Sequence, residues 1–158
     1  NDNFDPKYSH VLSSLVKKFV DARDDNVNKV FLMGTGIARR EFMHVDDAAA
    51  AIIYLFNINY NLGLINIGCG FDVSIKELAD KVSSALKKIE LDVKIKSIKN
   101  PRIEKEKHYY NAKNTGMKKL GLKPTLLTDK VIIEMAQYVI SNKKHINNKI
   151  ISPKSTWK

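Results

Sequence analysis

Two residues in the first part of the chain have side chains that can act on a phosphorylated substrate. His10 follows the segment NFDPKYS and lies near the start of an apolar, helix-like stretch, where backbone amides can bind a phosphate. Histidine can both accept and donate a proton near neutral pH, which makes His10 a candidate acid/base. Arg40 comes shortly after the turn Gly34–Gly36, and its planar guanidinium can bind a diphosphate through two hydrogen bonds. Together the two residue types make binding of a diphosphate and proton transfer chemically possible.

Each of these residues also has an ordinary structural interpretation. A histidine at the start of a helix commonly caps that helix or lies on the surface. Arg40 can form a surface ion pair with Asp46 or Asp47, worth about 0–1 kcal/mol. The residue types alone leave these alternatives open. For the two aspartates we expect a capping role at the helix that follows them, rather than a catalytic one.

The elements that must position these residues alternate between helix and strand. Apolar residues recur at helical spacing over residues 8–22, and Val30–Met33 has the composition of a short buried strand. Ser74 and Glu77 form a capping box that opens another helix. The further predicted elements are an extended segment over 40–45, strands over 64–67 and 92–98, and helices over 48–56, 74–88, 111–120 and 128–140. This alternation predicts the α/β class and a single domain.

The net charge of +10 is concentrated in the second half of the chain. Residues 1–79 carry 8 Lys and Arg against 10 Asp and Glu, whereas residues 80–158 carry 19 against 7. The basic residues of the second half are lysines with one exception, and they occur without an arginine cluster, zinc-ligand spacing or an aromatic RNA-binding motif. We therefore expect a solvated lysine-rich surface and no nucleic-acid partner.

The sequence shows neither a membrane segment nor a disulfide framework. No apolar run approaches the ~20 residues that cross a bilayer, and the first residues lack the basic and apolar regions of a signal peptide. Cys69 is the single cysteine, so no internal disulfide can form, and its glycine neighbours suggest a tight turn rather than a nucleophile. We expect no membrane partner, no metal site and a cytoplasmic location.

Two segments of the first half resemble signatures of the extended short-chain dehydrogenase/reductases, the NAD-dependent epimerase/dehydratase family that remodels nucleotide sugars. They are residues 2–12 (DNFDPKYSHVL) and residues 40–47 (REFMHVDD). Within this family, residues 1–78 are similar to the GDP-L-fucose synthases. Residues 92–158 are similar to the UDP-sulfoquinovose synthases through the runs NPRIE, HYYNAK and LGLKP.

The resemblance implies a fold and a set of roles. Residues 1–158 are expected to form one nucleotide-sugar-binding portion, the C-terminal part of an extended short-chain dehydrogenase/reductase, with the N-terminal Rossmann cofactor half missing. His10 takes the family's acid/base role. Val11 and Leu15 are expected to pack against the nucleotide, and Leu32 to lie beside its base.

Two arginines are expected to bind the diphosphate. Arg40 matches the family motif in content and spacing. Arg102 follows Pro101 in a region where the family commonly places an arginine. For Arg102 an ion pair within its loop, with Glu104 or Glu106, stays an alternative.

Two further motifs are weak. Gly68 and Gly70 lie between a predicted strand and helix, as in a dinucleotide-binding loop, but Val73 stands at the third glycine position and no matching acidic residue follows. Tyr109 and Lys113 have the spacing of the family's catalytic Tyr/Lys pair. In the family, however, that pair precedes the histidine segment. Neither motif is expected to hold cofactor or to act in catalysis.

The implied activity is that of a nucleotide-sugar epimerase/reductase. The first half favours the GDP-L-fucose synthase reaction, in which GDP-4-keto-6-deoxymannose is epimerised and then reduced by NADPH. The alternative is a UDP-sulfoquinovose synthase-like enzyme of sulfolipid synthesis. The cofactor, NADP or NAD, is expected to be held by the missing half and not by this chain alone, so an inactive truncated fragment is a third alternative. The expected partner is a GDP- or UDP-sugar, and dimerisation of the full-length enzyme is left open.

Overall fold

The structure, a computed structural model, describes residues 3–5, 9–58, 61, 63–99 and 115–146. These residues form five α-helices, four strands and one short 3-10 helix. In chain order the elements are α1 (Val11–Asp24), β1 (Lys29–Met33), β2 (Arg39–Glu41), α2 (Val45–Asn57), β3 (Asp72–Ser74), α3 (Ile75–Lys87), β4 (Lys94–Ile98), α4 (Thr115–Lys119), α5 (Asp129–Ser141) and the 3-10 helix (Lys143–His145). Helices and strands are interleaved along the chain, which confirms the predicted α/β class.

The chain divides into two compact units whose segments alternate along the sequence. The first unit comprises residues 1–38, 74–107 and 128–158, and the second comprises residues 39–73 and 108–127. The first unit therefore contains α1, β1, α3, β4 and α5, whereas β2, α2 and α4 belong to the second. Of strand β3, residues 72 and 73 are assigned to the second unit and residue 74 to the first.

The first unit combines three helices with a pair of parallel strands. In this pair Lys29 of β1 lies opposite Lys94 of β4, and Met33 lies opposite Ile98. The helices α1, α3 and α5 pack on one another, α1 also packs on β1, and α3 on β4. The buried apolar side chains of this unit are Phe4, Leu15, Val16, Phe19, Val20, Ala22, Val30, Leu32, Leu78, Ala79, Val82, Ala85, Leu86, Leu91, Val93, Ile132, Ala136 and Val139. Burial of this apolar surface stabilises the unit.

Side-chain caps define the starts of α3 and α5. Ser74 Oγ accepts the backbone N–H of Glu77 at 3.1 Å, and Glu77 Oε2 accepts the backbone N–H of Ser74 at 2.7 Å. This is the predicted capping box. Thr128 Oγ1 accepts the backbone N–H of Val131 at 3.4 Å. Both helices therefore begin with one of their otherwise unpaired amides satisfied.

The predicted capping role of Asp46 and Asp47 is wrong. Helix α2 begins at Val45, three residues earlier than predicted, and His44 is its N-cap. The imidazole Nδ1 of His44 accepts the backbone N–H of Asp46 at 3.3 Å, so the cap is already made before either aspartate is reached. The two carboxylates instead lie in the first turn, where the helix N-terminus favours negative charge.

The predicted strand over residues 64–67 is also wrong. These residues carry no strand, and the side chain of Leu64 is fully exposed. Within the described residues, the sheets pair β1 with β4 and β2 with β3, so the segment has no neighbour with which to form a ladder. An apolar run without a strand partner stays irregular.

The second unit has a small core. Among its described residues, Ala51 and Met117 are the only buried apolar side chains. Helix α4 is followed by Gly121, whose φ of 72° lies in the left-handed region that glycine adopts easily. Asp47 Oδ2 accepts the backbone N–H of Thr125 at 2.5 Å, and Asp47 Oδ1 accepts its hydroxyl at 3.1 Å. These two hydrogen bonds hold the segment after α4 to the start of α2.

The described helices are too short or too polar for a lipid bilayer: none of them combines the length and the apolar character that a membrane span needs. The longest, α1, has 14 residues, against the ~20 required to cross the hydrocarbon core.

Candidate functional site

His10 is the N-cap residue of α1, and its side chain is exposed. Its backbone carbonyl accepts the N–H of Ser14 at 2.9 Å and the hydroxyl of Ser13 at 3.1 Å. The imidazole itself makes no capping hydrogen bond, in contrast to that of His44. The side chain is therefore not used as a helix cap, and solvent and ligands can reach it.

Residues 3–5 and 9, which are described and precede α1, have defined contacts within the first unit. The backbone N–H of Asp5 donates to Asn3 Oδ1 at 2.8 Å, and that of Ser9 donates to the Asp5 carbonyl at 2.8 Å. Phe4 is 5% exposed, and its ring centroid lies 5.9 Å from that of Tyr138 on α5. This aromatic contact holds Phe4 against α5.

The three apolar residues expected at the nucleotide differ in burial. Leu15 on α1 is 2% exposed and Leu32 on β1 is 5% exposed, so both belong to the core of the first unit. Val11, in the first turn of α1, is only partly buried. The partly accessible side chain of Val11 offers a ligand more surface than the two leucines do. The nucleotide-packing roles of all three stay predictions.

The predicted turn Gly34–Gly36 follows β1. The N–H of Gly34 donates to the carbonyl of Ile98 at 2.8 Å, and Gly36 has a positive φ of 71°. The Gly36 carbonyl accepts the N–H of Lys76 at 2.9 Å, and a Cβ on Gly36 would lie 3.0 Å from the Lys76 Cβ. Glycine therefore allows this turn to lie close against α3, and the Lys76 amide at the start of α3 already has a protein partner.

Each of the three residues of β2 has a defined contact within the second unit. Arg39 Nε forms an ion pair with Asp72 Oδ2, and Arg39 Nη2 donates to the Asp72 carbonyl at 3.0 Å. Arg40 is partly buried, and its Nη1 donates to the Arg39 carbonyl at 2.7 Å. Glu41 Oε1 accepts the N–H of Gly70. Arg40 thus lies between two residues whose own side chains are fixed.

The carboxylates considered as ion-pair partners of Arg40 have other contacts. Asp47 accepts two hydrogen bonds from Thr125. Asp46 Oδ2 lies 3.6 Å from His44 Nδ1. Both aspartates therefore contribute to the start of α2.

The loop over residues 68–70 uses its backbone amides within the protein. The N–H of Gly68 donates to Met117 Sδ at 3.1 Å, and the N–H of Gly70 donates to Glu41 Oε1. A Cβ on Gly68 would lie 2.6 Å from Glu41 Oε1, so glycine leaves the room that this carboxylate needs. A dinucleotide-binding loop must turn such amides toward the pyrophosphate. These residues therefore do not fit that cofactor.

Cys69 lies in the same loop, and the pKa of its thiol is raised above the ordinary value. Burial is the largest cause that raises the pKa of the Cys69 thiol, and the negative charge of Glu41 raises it further. Backbone hydrogen bonding from Phe71 and Phe42 opposes these effects in part. Because the thiolate is the nucleophilic form, a raised pKa favours the interpretation of Cys69 as a turn residue.

Some predicted residues lie outside the described part of the chain. These are Arg102, whose role stays a prediction, and the pair Tyr109 and Lys113. Within the described ranges, no group of three or more His, Cys, Asp or Glu side chains could hold a metal ion.

No sequence pattern assigns a role to Arg39, Glu41 or Asp72. The Arg39–Asp72 ion pair joins residues 33 positions apart, and the contact of Glu41 with Gly70 spans 29 positions. No local spacing rule connects such residues. The one available signal is the composition of β2, which consists entirely of charged residues.

Comparisons with known proteins relate the chain to one family. Residues 1–68 match the model of the "NAD dependent epimerase/dehydratase family". Probable GDP-L-fucose synthase 1 of Oryza sativa subsp. japonica is 45% identical over 85 residues, which are 54% of this chain and 26% of the rice protein. UDP-sulfoquinovose synthase, chloroplastic, of Spinacia oleracea is 33% identical over 127 residues, which are 79% of this chain and 26% of the spinach protein. The chain thus spans about a quarter of the length of these curated relatives.

The fold comparison agrees with the sequence comparison. A GDP-L-fucose synthetase from Naegleria fowleri, bound to NADP, superimposes with a TM-score of 0.72 at 19% identity. The superposition covers 93% of this chain and 44% of that chain, so this chain has the fold of part of such an enzyme. The predicted resemblances are confirmed, with one extension. A match of 127 residues to the spinach enzyme is too long for residues 92–158 alone and reaches into the first half.

Proposed function

We propose that this chain is the substrate-binding portion of a nucleotide-sugar epimerase/reductase, because residues 1–68 match the model of the NAD dependent epimerase/dehydratase family. One observation carries the proposal: the segment that matches the family contains five of the six predicted site residues. They are His10, Val11, Leu15, Leu32 and Arg40. The 45% identity with the rice GDP-L-fucose synthase favours GDP-4-keto-6-deoxymannose as the substrate.

Arg40 is the proposed ligand of the diphosphate. A guanidinium can donate two parallel hydrogen bonds to phosphate oxygens, which lysine cannot do. The neighbours of Arg40 on β2 are fixed by Asp72 and by the N–H of Gly70. A backbone that is ordered before binding loses less entropy when a ligand arrives. Charge-assisted hydrogen bonds contribute about 1.5–3 kcal/mol, so loss of the guanidinium should weaken nucleotide binding about 10- to 100-fold.

His10 is proposed to transfer protons at the sugar. In a 4-keto sugar, the carbons next to the carbonyl lose protons readily because the carbonyl oxygen takes up the negative charge. An exposed imidazole at the start of α1 can accept such a proton or return one to the carbon. Epimerisation leaves the number of protons on the sugar unchanged, since the proton removed from one face is replaced on the other. The position of His10 as the N-cap of α1 would hold its backbone in place for this step.

The cofactor of the family is not assigned to this chain. The reduction that completes the proposed reaction uses NADPH, and the loop over residues 68–70 does not fit a dinucleotide. We propose that the cofactor is bound by another part of the enzyme. The isolated 158 residues are then expected not to oxidise NADPH. Turnover of NADPH by the chain alone would contradict this assignment.

A second candidate function is that of a UDP-sulfoquinovose synthase-like enzyme. The observation that favours it is the extent of the spinach match, which covers 79% of this chain against 54% for the rice enzyme. The two candidates differ in the base of the nucleotide, which makes them separable by binding. A fragment that binds a nucleotide sugar without activity is the third alternative.

Calorimetric titration of GDP and UDP into the chain tests the proposal. We expect GDP to bind more tightly than UDP, and Arg40→Ala to weaken GDP binding at least 10-fold. Arg23→Ala is the matched control, because Arg23 is exposed and pairs with Asp24 at 3.0 Å. A preference for UDP would replace the first candidate by the second. Absence of binding of either nucleotide would contradict the proposed function itself.

A further inference from the structure

The strand pair β1–β4 of the first unit has one side in the core and one side in solvent. Val30 and Leu32 are 3% and 5% exposed, so their side of β1 is buried. Because side chains alternate along a strand and residues in register share a side, the remaining positions lie on the opposite side. This opposite side, called the outer face below, consists of Lys29, Phe31 and Met33 on β1 and Lys94, Lys96 and Ile98 on β4.

Three exposed lysines are concentrated on the outer face. Lys29 and Lys94 lie directly opposite each other, on strands whose backbones are about 4.8 Å apart. Lys94 and Lys96 are separated by two residues of one strand, which is a distance of about 6.6 Å. Like charges at these separations repel each other. A bound anion removes this repulsion, so the outer face favours an anionic partner.

The protein itself does not neutralise this charge. Among the described residues, the ion pairs include none that is made by Lys29, Lys94 or Lys96. Asp92, the carboxylate that precedes β4, is paired with Lys87 at 2.8 Å. The first unit as a whole carries 21 Lys and Arg against 13 Asp and Glu. Its charge is therefore complementary to a polyanion.

An exposed aromatic ring lies among the lysines. Phe31 is 45% exposed and is in register with Lys96. Proteins bind single-stranded nucleic acids with basic side chains along the backbone and with aromatic rings on which bases stack. An acidic peptide would use the lysines but would leave the ring without a stacking partner. We propose that the outer face binds single-stranded nucleic acid without reading its sequence.

This mode of binding differs from the one that the sequence excludes. Arginine clusters, zinc-ligand spacings and RNA-binding motifs serve to read bases, and the sequence contains none of them. Phosphate contacts and stacking carry little sequence information and need no such motif. The pairing of β1 with β4 assembles the outer face from two segments that are distant in the chain. Neither His10 nor Arg40 takes part, so this binding is independent of the proposed function.

Fluorescence anisotropy measures the binding. The probe is a fluorescein-labelled oligothymidylate of about 12 nucleotides, which is long enough for one site. We expect the unmodified 158-residue chain to bind it with a dissociation constant of about 1–100 μM at low salt. Each phosphate contact on a single strand contributes about −0.7 to the slope of log K against log salt. Three lysines should therefore give a slope of about −2.

Two double variants with the same loss of charge form a matched comparison. K94Q/K96Q changes the outer face and should weaken binding by at least about 10-fold, with a slope that is shallower by about 1.4. K118Q/K119Q removes two exposed lysines from α4 in the second unit. This control should bind the probe within about two-fold of the unmodified chain, because its lysines contact no phosphate.

A pair of phenylalanine variants tests the stacking contact. Phe31→Leu keeps an apolar side chain in β1 but removes the ring, so binding should weaken by roughly 5-fold or more while the salt slope stays the same. Phe71→Leu is the control, because Phe71 is 60% exposed and lies in the second unit. It should leave binding unchanged. Circular dichroism verifies that all variants stay folded.

Three results would overturn the proposal. The first is that the unmodified chain does not bind the oligothymidylate. The second is that K94Q/K96Q and K118Q/K119Q weaken binding equally, which would reduce the effect to net charge. The third is that polyglutamate displaces the probe at equal charge and Phe31→Leu has no effect, which would assign the outer face to an acidic protein.

The outer face and the proposed function can fail separately. K94Q/K96Q should bind GDP as the unmodified chain does, since both lysines lie outside the nucleotide-sugar site. If GDP binds through Arg40 and the oligothymidylate does not bind, the outer face is wrong and the proposed function stands. If the oligothymidylate binds through the outer face and neither GDP nor UDP binds, the nucleotide-sugar assignment is wrong.

Discussion

Position 68 requires glycine because the Glu41 side chain lies close to it. The backbone conformation at position 68 does not require glycine. In Gly68→Ala the new Cβ would lie 2.6 Å from Glu41 Oε1 and 3.1 Å from Glu41 Cδ. The φ of Gly68 is outside the left-handed region, so alanine brings no backbone strain. The carboxylate must therefore move, and the N–H of Gly70 loses its acceptor.

The expected loss of stability follows from the hydrogen bond between the N–H of Gly70 and Glu41. A hydrogen bond to a charged group contributes about 1.5–3 kcal/mol, so Gly68→Ala should lower the free energy of unfolding by about 2 kcal/mol. Because Glu41 is adjacent to Arg40 on β2, GDP affinity should fall as well. Urea unfolding followed by circular dichroism measures the first effect, and calorimetry measures the second.

Gly116→Ala is the control for this prediction. Its Cβ would meet Ile65, at 2.8 Å from Cγ1 and 2.9 Å from Cδ1, but the end of an isoleucine side chain can rotate away. Alanine in α4 also gains up to about 1 kcal/mol of helix propensity over glycine. We therefore expect little net change in the free energy of unfolding, although the new Cβ would approach Ile65 almost as closely.

A double-mutant cycle decides whether the contact with Glu41 causes the destabilisation by Gly68→Ala. In a Glu41→Ala background the carboxylate is gone, so Gly68→Ala should cost almost nothing. The reasoning is refuted if Gly68→Ala is as destabilising in that background as in the unmodified chain, or if it does not destabilise the unmodified chain at all.

Three further predictions concern individual groups. The Cys69 thiol, whose pKa burial and Glu41 raise, should react with iodoacetamide several-fold more slowly than in urea-unfolded chain, and Glu41→Gln should accelerate the reaction; equal rates in folded and unfolded protein contradict this. Ser74→Ala should lower the free energy of unfolding, measured in urea titrations, by about 1 kcal/mol. An unchanged free energy of unfolding would show that the capping box does not stabilise the protein. The hydrogen bond from Lys88 lowers the pKa of Asp129 below its ordinary value of 3.8. Because the pKa of Asp129 is lower in the folded state, its ionised carboxylate stabilises the folded protein at pH values above 3.8. This stabilisation is lost as the pH falls through the folded-state pKa. The small difference in urea midpoint between the unmodified chain and Lys88→Met should therefore be present at neutral pH and disappear in strong acid; a difference independent of pH would contradict the pairing.

Elements with local determinants could be predicted from the sequence. Helix α3 begins where its capping box predicts, because Ser74 and Glu77 are three residues apart and act on each other directly. The predicted helices over 8–22 and 128–140 are likewise confirmed to within three residues at each end, since apolar spacing along one helix is a local property.

Features that depend on distant residues could not be predicted. The pairing of β1 with β4 brings Lys29 opposite Lys94, a partner that no pattern around β1 specifies. The segment over 64–67 has strand-like composition, but within the described residues it has no neighbouring strand. The strand predicted from its composition is therefore wrong. At α2 the preference of aspartate for N-caps was overridden by the imidazole of His44.

The candidate site shows the same division. His10 and Arg40 could be identified from residue type and family resemblance, because both lie in short motifs. Their supports could not: Phe4 is held by Tyr138 on a helix more than a hundred residues away, and β2 is held by Asp72. A motif specifies which group can react or bind, whereas tertiary contacts decide how that group is held.

Nuclear magnetic resonance titration of the ¹⁵N-labelled chain with GDP tests the central claim most directly. We expect backbone amide shifts to concentrate at β2 around Arg40 and to saturate with one dissociation constant. The Arg40→Ala variant should show the same shifts only at higher GDP concentration. Saturating shifts confined to other segments, or no shifts at millimolar GDP, would contradict the claim that this chain binds a nucleotide diphosphate sugar.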